Sequence, residues 1–383
     1  MRDATRLIHS GRDLRALPNT VGPPVVRGST VLLPNAAALY DENAPTYGRG
    51  GLSTQEALKA ALCDLERALA VRLFPSGLAA LTGAMLAVLR AGDDVLVTDA
   101  IYKPTRRFCD RVLRRFGVGV RYYPPRTTPA ELVAMATSAT RLIVMESPGS
   151  LTLEMQDVPG IAALASARNI LTLADNTWAA GLQFRPLEHG VSLSVQALTK
   201  YVGGHSDVFM GSVATRDQEL VRALDNAVWD MGWSVSPDDA YQMLRGLRTL
   251  ETRMHRHDAS GREIAAWLRQ RPEVAEVLHP ALPGAPDHAL WARDFTGAAG
   301  LFAVVLRSST PGAAHAFLNA LTLFRLGFSW GGFESLALDC DPQFSVRDDP
   351  PSFAGPLIRL NIGLEAPGDL IADLARGLEA SRA

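Results

Sequence analysis

Of the 38 basic residues in this chain only three are lysines, Lys59, Lys103 and Lys200. Arginine stays protonated at any working pH, whereas a lysine amine that loses its proton can attack a carbonyl. Lys200 stands in "QALTKYVGGHSD", behind an apolar run and ahead of glycines, a setting for burial that lowers an amine's pKa. Lys59 falls on an amphipathic helical stretch and Lys103 precedes Pro104, so neither rivals it. Asp175, 25 residues earlier, ends the run "LTLAD", where it caps the next segment or holds a heterocyclic nitrogen protonated through a charge-assisted hydrogen bond. "FPSGLAAL" sets Ser76 and Gly77 at a strand-to-helix turn whose free N–H groups suit a phosphate. Tyr102, in "TDAIYKPT", packs at a strand end or stacks on a flat ring. Arg359, inside the apolar "LIRLNIGLE", needs an anion, and a planar carboxylate is its natural bidentate partner. No one of these decides the chemistry. Together they describe a site for pyridoxal phosphate (PLP).

The elements that must position these residues follow from the hydrophobic periods. From Thr54, "TQEALKAALCDLERALA" has helical spacing behind a Ser/Thr cap. "DDVLVTD", "GVGVRYY", "RLIVMES", "ILTLADN" and "LSVQALT" then read as buried strands, alternating with helical segments such as "TPAELVAMATSA" and "DVPGIAALASARN". That alternation predicts an α/β fold with a mostly parallel sheet flanked by helices. In open sheets of this kind ligands sit beyond the carboxyl ends of the strands, which is where Asp175, Tyr102 and Lys200 fall.

Residues 1–50, rich in Pro, Gly and Asn, read as an extended arm that carries Tyr47 and Arg49 in "TYGRGG". Residues 51–240 read as the large domain. Residues 241–383 read as a smaller α+β domain, entered through one long helical stretch from about Pro237 to Arg271 and containing Ser329 and Trp330 in "SWGGFESL". No internal repeat interrupts this order.

The totals exclude several classes. A length of 383 residues with 47% hydrophobic and 20% charged residues fits a folded protein with a large interior. A net charge of −2 with scattered arginines gives no footing for nucleic acid. Three distant cysteines, Cys63, Cys109 and Cys340, form neither a disulfide framework nor a metal motif. The start lacks a signal-peptide run, and the longest apolar stretch, 12 residues from Leu78, is too short to span a bilayer, so a cytoplasmic location is expected. A nucleotide-binding oxidoreductase fits the α/β pattern, but no G-x-G-x-x-G follows a strand and no G-x-x-x-x-G-K-[ST] occurs. A non-catalytic regulator on the same fold would not need Lys200 and Asp175.

"YGRGG", "FPSGLAAL", "MESPGSLTLE", "ADNTWAAG", "SVQALTKYVGGHSD", "HPALPG", "RDFTGAAGLF", "SWGGFESL" and "LIRLNIGLE" resemble, in order and over nearly the whole chain, the Cys/Met-metabolism family of PLP-dependent enzymes. The resemblance implies an aspartate aminotransferase-like fold (fold type I) with a seven-stranded sheet. It implies that Lys200 bonds the cofactor's aldehyde, Asp175 its ring nitrogen and Tyr102 its ring face. It also implies phosphate ligands at Gly77, Leu78 and Thr199, and Tyr47 and Arg49 supplied by a neighbouring subunit. Arg359, with Ser329, Trp330 and Tyr47, is implied at the substrate carboxylate, in a homotetramer built from shared-site dimers. Ala197, where the γ-lyases and γ-synthases generally carry serine, and the tryptophan of "SWGG" place the likeness nearest the bacterial β-lyases that cleave cystathionine. The alternatives are a γ-lyase, a γ-synthase, or a β-lyase for other cysteine conjugates.

Overall fold

The computed structural model describes residues 2–12, 20–41, 45–308 and 310–382. Seven strands form the larger sheet: β1 (Ala70–Phe74), β2 (Asp94–Thr98), β3 (Gly119–Tyr123), β4 (Thr140–Glu146), β5 (Leu171–Asp175), β6 (Leu193–Ala197) and β7 (Gly211–Thr215). Their spatial order is β1-β7-β6-β5-β4-β2-β3. All pairings are parallel except those that β7 makes with β1 and β6. The expected mostly parallel seven-stranded sheet is therefore present. β2, β4 and β5 are buried along nearly their whole length because helices cover both faces, which is why they read as unbroken apolar runs rather than alternating ones.

A second sheet comprises β8 (Val274–Leu278), β9 (Leu301–Leu306), β10 (Arg325–Leu326), β11 (Leu336–Asp339) and β12 (Leu357–Asn361), in the order β10-β11-β12-β9-β8. Helices Ala313–Ala320 and Pro367–Ala380 pack on it through Phe317, Leu318, Leu370, Leu374 and Leu378, which share one core with Phe302, Val304, Ile358 and Leu360. Trp178, just past β5, donates its indole N–H to the carbonyl of Leu301 at the start of β9 (3.0 Å), fastening one sheet to the other beside the strand ends.

Two sequence readings are revised. The stretch from Pro237 to Arg271 is not one helix but two, Pro237–Arg248 and Leu250–Leu268, meeting at Thr249, which departs from helical geometry (φ −108°, ψ 6°). The first residues, read as plain arm, hold a helix at Asp3–His9. It is docked by buried Leu7 and by Asp3, whose carboxylate bridges Arg67 (2.8 Å) and Arg185 (2.7 Å). About two turns that bury a single leucine have too little period to stand out. Among the described residues no helix is long and apolar enough to cross a membrane.

Candidate active site

The residues singled out in sequence converge between the carboxyl ends of the large sheet and the near edge of the second. A cavity of about 230 Å³ is lined by Lys200, Asp175, Tyr102, Thr199, Gly77, Leu78, Trp330 and Arg359. Each reaches it for a local reason. Asp175 is the last residue of β5, and Lys200 lies in the turn that follows β6. Ser76 caps the helix Gly77–Val88 by accepting from Ala79 N–H (3.0 Å), which leaves the N–H groups of Gly77 and Leu78 in the first turn without intrahelical acceptors. Gly77 is a glycine for want of room: a Cβ there would lie 2.4 Å from the Cβ of Ala197.

The second sheet delivers the rest. Arg359 on β12 donates from Nη2 to the carbonyls of Phe328 and Ser329, both at 3.0 Å, and so holds the loop that carries Ser329 and Trp330. Gly331, at φ +81°, continues this loop against the Lys200 backbone, where a Cβ would meet Lys200 C at 3.1 Å. Asn361 pins the same loop by accepting from Gly331 N–H (3.0 Å). Ser329 hydroxyl in turn accepts from the Lys200 amine (2.9 Å), and Trp330 places its ring 5.3 Å from that nitrogen.

The cations of the cavity lack close ion-pair partners. Neither Lys200 nor Arg359 has a carboxylate within 4 Å among the described residues. Burial, then the nearby Arg359 cation, pushes the Lys200 amine down to about 8, against the opposing pull of Asp175. Burial pushes Arg359 down to about 10. Asp175 is moved up by burial, although two bonds from Thr177 and the charge of Lys200 oppose it. The Tyr102 phenol is raised by desolvation and then by Glu146 and Asp175, so it stays protonated at neutral pH.

These deficits match PLP. The rising carboxylate lacks the cation that a protonated ring nitrogen brings, the buried Arg359 lacks an anion, and the Lys200 amine gives up its proton near neutrality. The small-residue turn leaves backbone donors open for a phosphate. Thr199 lines this end of the cavity, its hydroxyl bonded to Met210 N–H (2.9 Å).

Tyr47 and Arg49 are not brought to the cavity. Tyr47 is 48% exposed on the arm, and Arg49 lies over the Trp229 ring (4.3 Å) with Nη1 donating to the Trp229 carbonyl (3.0 Å). Glu146 and Thr177 are among the cavity residues that the sequence reading missed. Glu146 ends β4 beside Asp175 in the register of the two strands and accepts from Tyr102 N–H (2.7 Å). Burial, reinforced by Asp175, holds its carboxyl well above the usual range. The strand-end rule that marked Asp175 applies equally to the "MES" of β4. Thr177, two residues past Asp175, had no such signal.

Comparison with known proteins agrees with this geometry. Residues 4–379 match the family model of Cys/Met metabolism PLP-dependent enzymes. The chain is 48% identical to a putative cystathionine beta-lyase of Rhizobium johnstonii, over 99% of this chain and 96% of that one. It is 44% identical to a cystathionine beta-lyase of Bordetella avium, over 94% and 92%. The crystal structure of cystathionine gamma-lyase from Lactobacillus plantarum complexed with L-serine superposes with a TM-score of 0.91 at 29% identity, covering both chains completely. The expected fold type I architecture is thereby borne out, and this chain belongs to the Cys/Met metabolism family of PLP-dependent enzymes.

Proposed function

We propose that this chain is a PLP-dependent carbon–sulfur lyase that cleaves L-cystathionine by α,β-elimination, yielding homocysteine, pyruvate and ammonia in methionine biosynthesis. The observation that carries the reading is the meeting in one cavity of a low-pKa lysine, a strand-end aspartate and a buried arginine without a carboxylate. The relatives named cystathionine beta-lyase, similar over nearly their full length, support the choice of substrate.

Bound here, PLP supplies an electron sink for the pair left when the substrate's α-proton departs. Asp175 keeps the ring nitrogen protonated, and Tyr102 packs on the ring face. Gly77 and Leu78 N–H groups and the Thr199 hydroxyl hold the phosphate. Arg359 would grip the substrate α-carboxylate, with Trp330 and Ser329 beside it, and so fix the orientation of the substrate in the cavity. Lys200 would receive the α-proton at Nζ, which its hydrogen bond to the Ser329 hydroxyl holds on the cavity wall. The raised Tyr102 phenol rests protonated and is therefore no ready base in the resting chain.

Tyr47 and Arg49 serve the cavity of a second copy, within a cytoplasmic homotetramer of shared-site dimers. Val21, Leu32 and Tyr40 support this arrangement, since 78%, 94% and 89% of their surfaces stand open on the arm, apolar area that a partner would cover. Feeding cystathionine tests the reaction: pyruvate is expected as the keto acid, and 2-oxobutyrate in its place would move the chain to the γ-lyases.

A further inference from the structure

Asp175 and Glu146 end adjacent parallel strands side by side, and both line the cavity. Two carboxyls so close do not both ionise readily, and a single ring nitrogen needs only one of them. The surrounding bonds are unequal. Asp175 Oδ1 accepts from Thr177 N–H (3.0 Å) and from Thr177 hydroxyl (2.5 Å), whereas Glu146 accepts one bond, from Tyr102 N–H. Thr177 hydroxyl is itself fixed: it accepts from Ala197 N–H (2.9 Å) at the end of β6, so its own proton can go only to Asp175. Thr177 is buried, at 7% exposure, where hydrogen bonds to a carboxylate count for more than they do in water.

We propose that Thr177 is a positioning residue which keeps the negative charge on Asp175 rather than on Glu146. By occupying Oδ1 twice it also leaves Oδ2 as the oxygen that meets the ring nitrogen. The inference deepens the proposed function and rests on it. Directions of proton affinity agree: the Thr177 bonds lower that of Asp175 against burial, while Glu146 is held well above the carboxylate range. The other charged or titratable groups facing Asp175 are Lys200 beyond β6, Tyr102 at the start of helix Lys103–Phe108, and Arg359 on β12.

The test compares apoenzymes of wild type, Thr177→Val and Thr177→Ser. Each is titrated with PLP and with 1-deaza-PLP, whose ring carries C–H in place of nitrogen. Thr177→Val should bind PLP about tenfold to a hundredfold more weakly, as loss of a hydrogen bond to a charged group implies, and Thr177→Ser should stay within about threefold of wild type. With the deaza analogue the deficit of Thr177→Val should shrink to less than about threefold, because no ring nitrogen remains to be held. Absorbance of the bound cofactor should show the ring losing its proton at lower pH in Thr177→Val than in wild type. If the valine variant does not fold, Thr177→Cys, a weak donor of similar size, should give an intermediate PLP deficit that again fades with the analogue. Unchanged PLP affinity and an unchanged pH profile in Thr177→Val would overturn the inference, as would an equal deficit with both ligands. Failure of wild type itself to bind PLP would instead overturn the proposed function, and this inference with it.

Discussion

Positive charge is handled in opposite ways on the arm side of the molecule and in the cavity. On helix Ser53–Glu66, Lys59 sits mostly buried but pairs with Glu56 at 2.8 Å and reaches the Gly50 carbonyl. Nearby, Arg72 is tied to Asp225 and Arg67 to Asp3. The cavity leaves Lys200 and Arg359 with hydroxyl and carbonyl partners only. A buried cation without a counter-ion is costly. Arg253, equally buried, is also held by carbonyls and a hydroxyl alone, those of Tyr201, Val202, Gly246 and Thr249, so the mark of a ligand site here is that two such cations open onto one cavity.

That contrast can be broken most severely at the amine. Lys200→Ala should lower turnover by about 10⁴-fold or more, since both covalent anchor and base are lost, while the fold persists. Lys59→Ala, by contrast, should leave kcat nearly unchanged, and steady-state kinetics of both variants would show whether the two lysines differ as argued. Arg359→Met removes the carboxylate grip and should cost about a hundredfold in kcat/KM, mostly through KM. Asp175→Asn keeps size but not charge; an activity loss of about 10² or more is expected, with weaker cofactor retention on gel filtration.

Acidity sharpens the comparison further. The Lys200 value is lowered to about 8, so the neutral, nucleophilic amine predominates above that pH and is lost below it. The rate at which apoenzyme captures PLP should climb about tenfold per unit up to roughly pH 8 and then level off. A climb continuing towards pH 10 would mean an ordinary exposed lysine. The smallest effect belongs to the arm. Arg49→Ala should weaken PLP retention by about tenfold, and mixing it with Lys200→Ala should restore some activity if the two residues serve shared sites on different copies.

Much of this arrangement was legible before any coordinates. β2, β4, β5 and β6 are largely buried strands, whose apolar runs stand out, and the polar residue closing each run is where chemistry gathers in such a sheet. β7 was not read, because "GSVAT" is small-residued and follows a glycine-rich turn with no flanking period. The break at Thr249 was invisible because apolar spacing continues across it. Thr177 escaped for a different reason: its importance lies in what Ala197, 20 residues away, donates to it, and no local pattern encodes that. Tyr47 and Arg49 were legible as a motif, but the structure leaves them outside the cavity of their own chain.

The bare α-carbon at position 77 has a further bearing. Helix Gly77–Val88 and strand β6 approach there with only the Ala197 methyl group between the two backbones, so the helix start and the lysine-bearing turn are held at one close spacing. Anyone redesigning this pocket for a bulkier cofactor or a new nucleophile inherits that fixed gauge. Widening it by one methyl group would separate the two halves of the machinery at once.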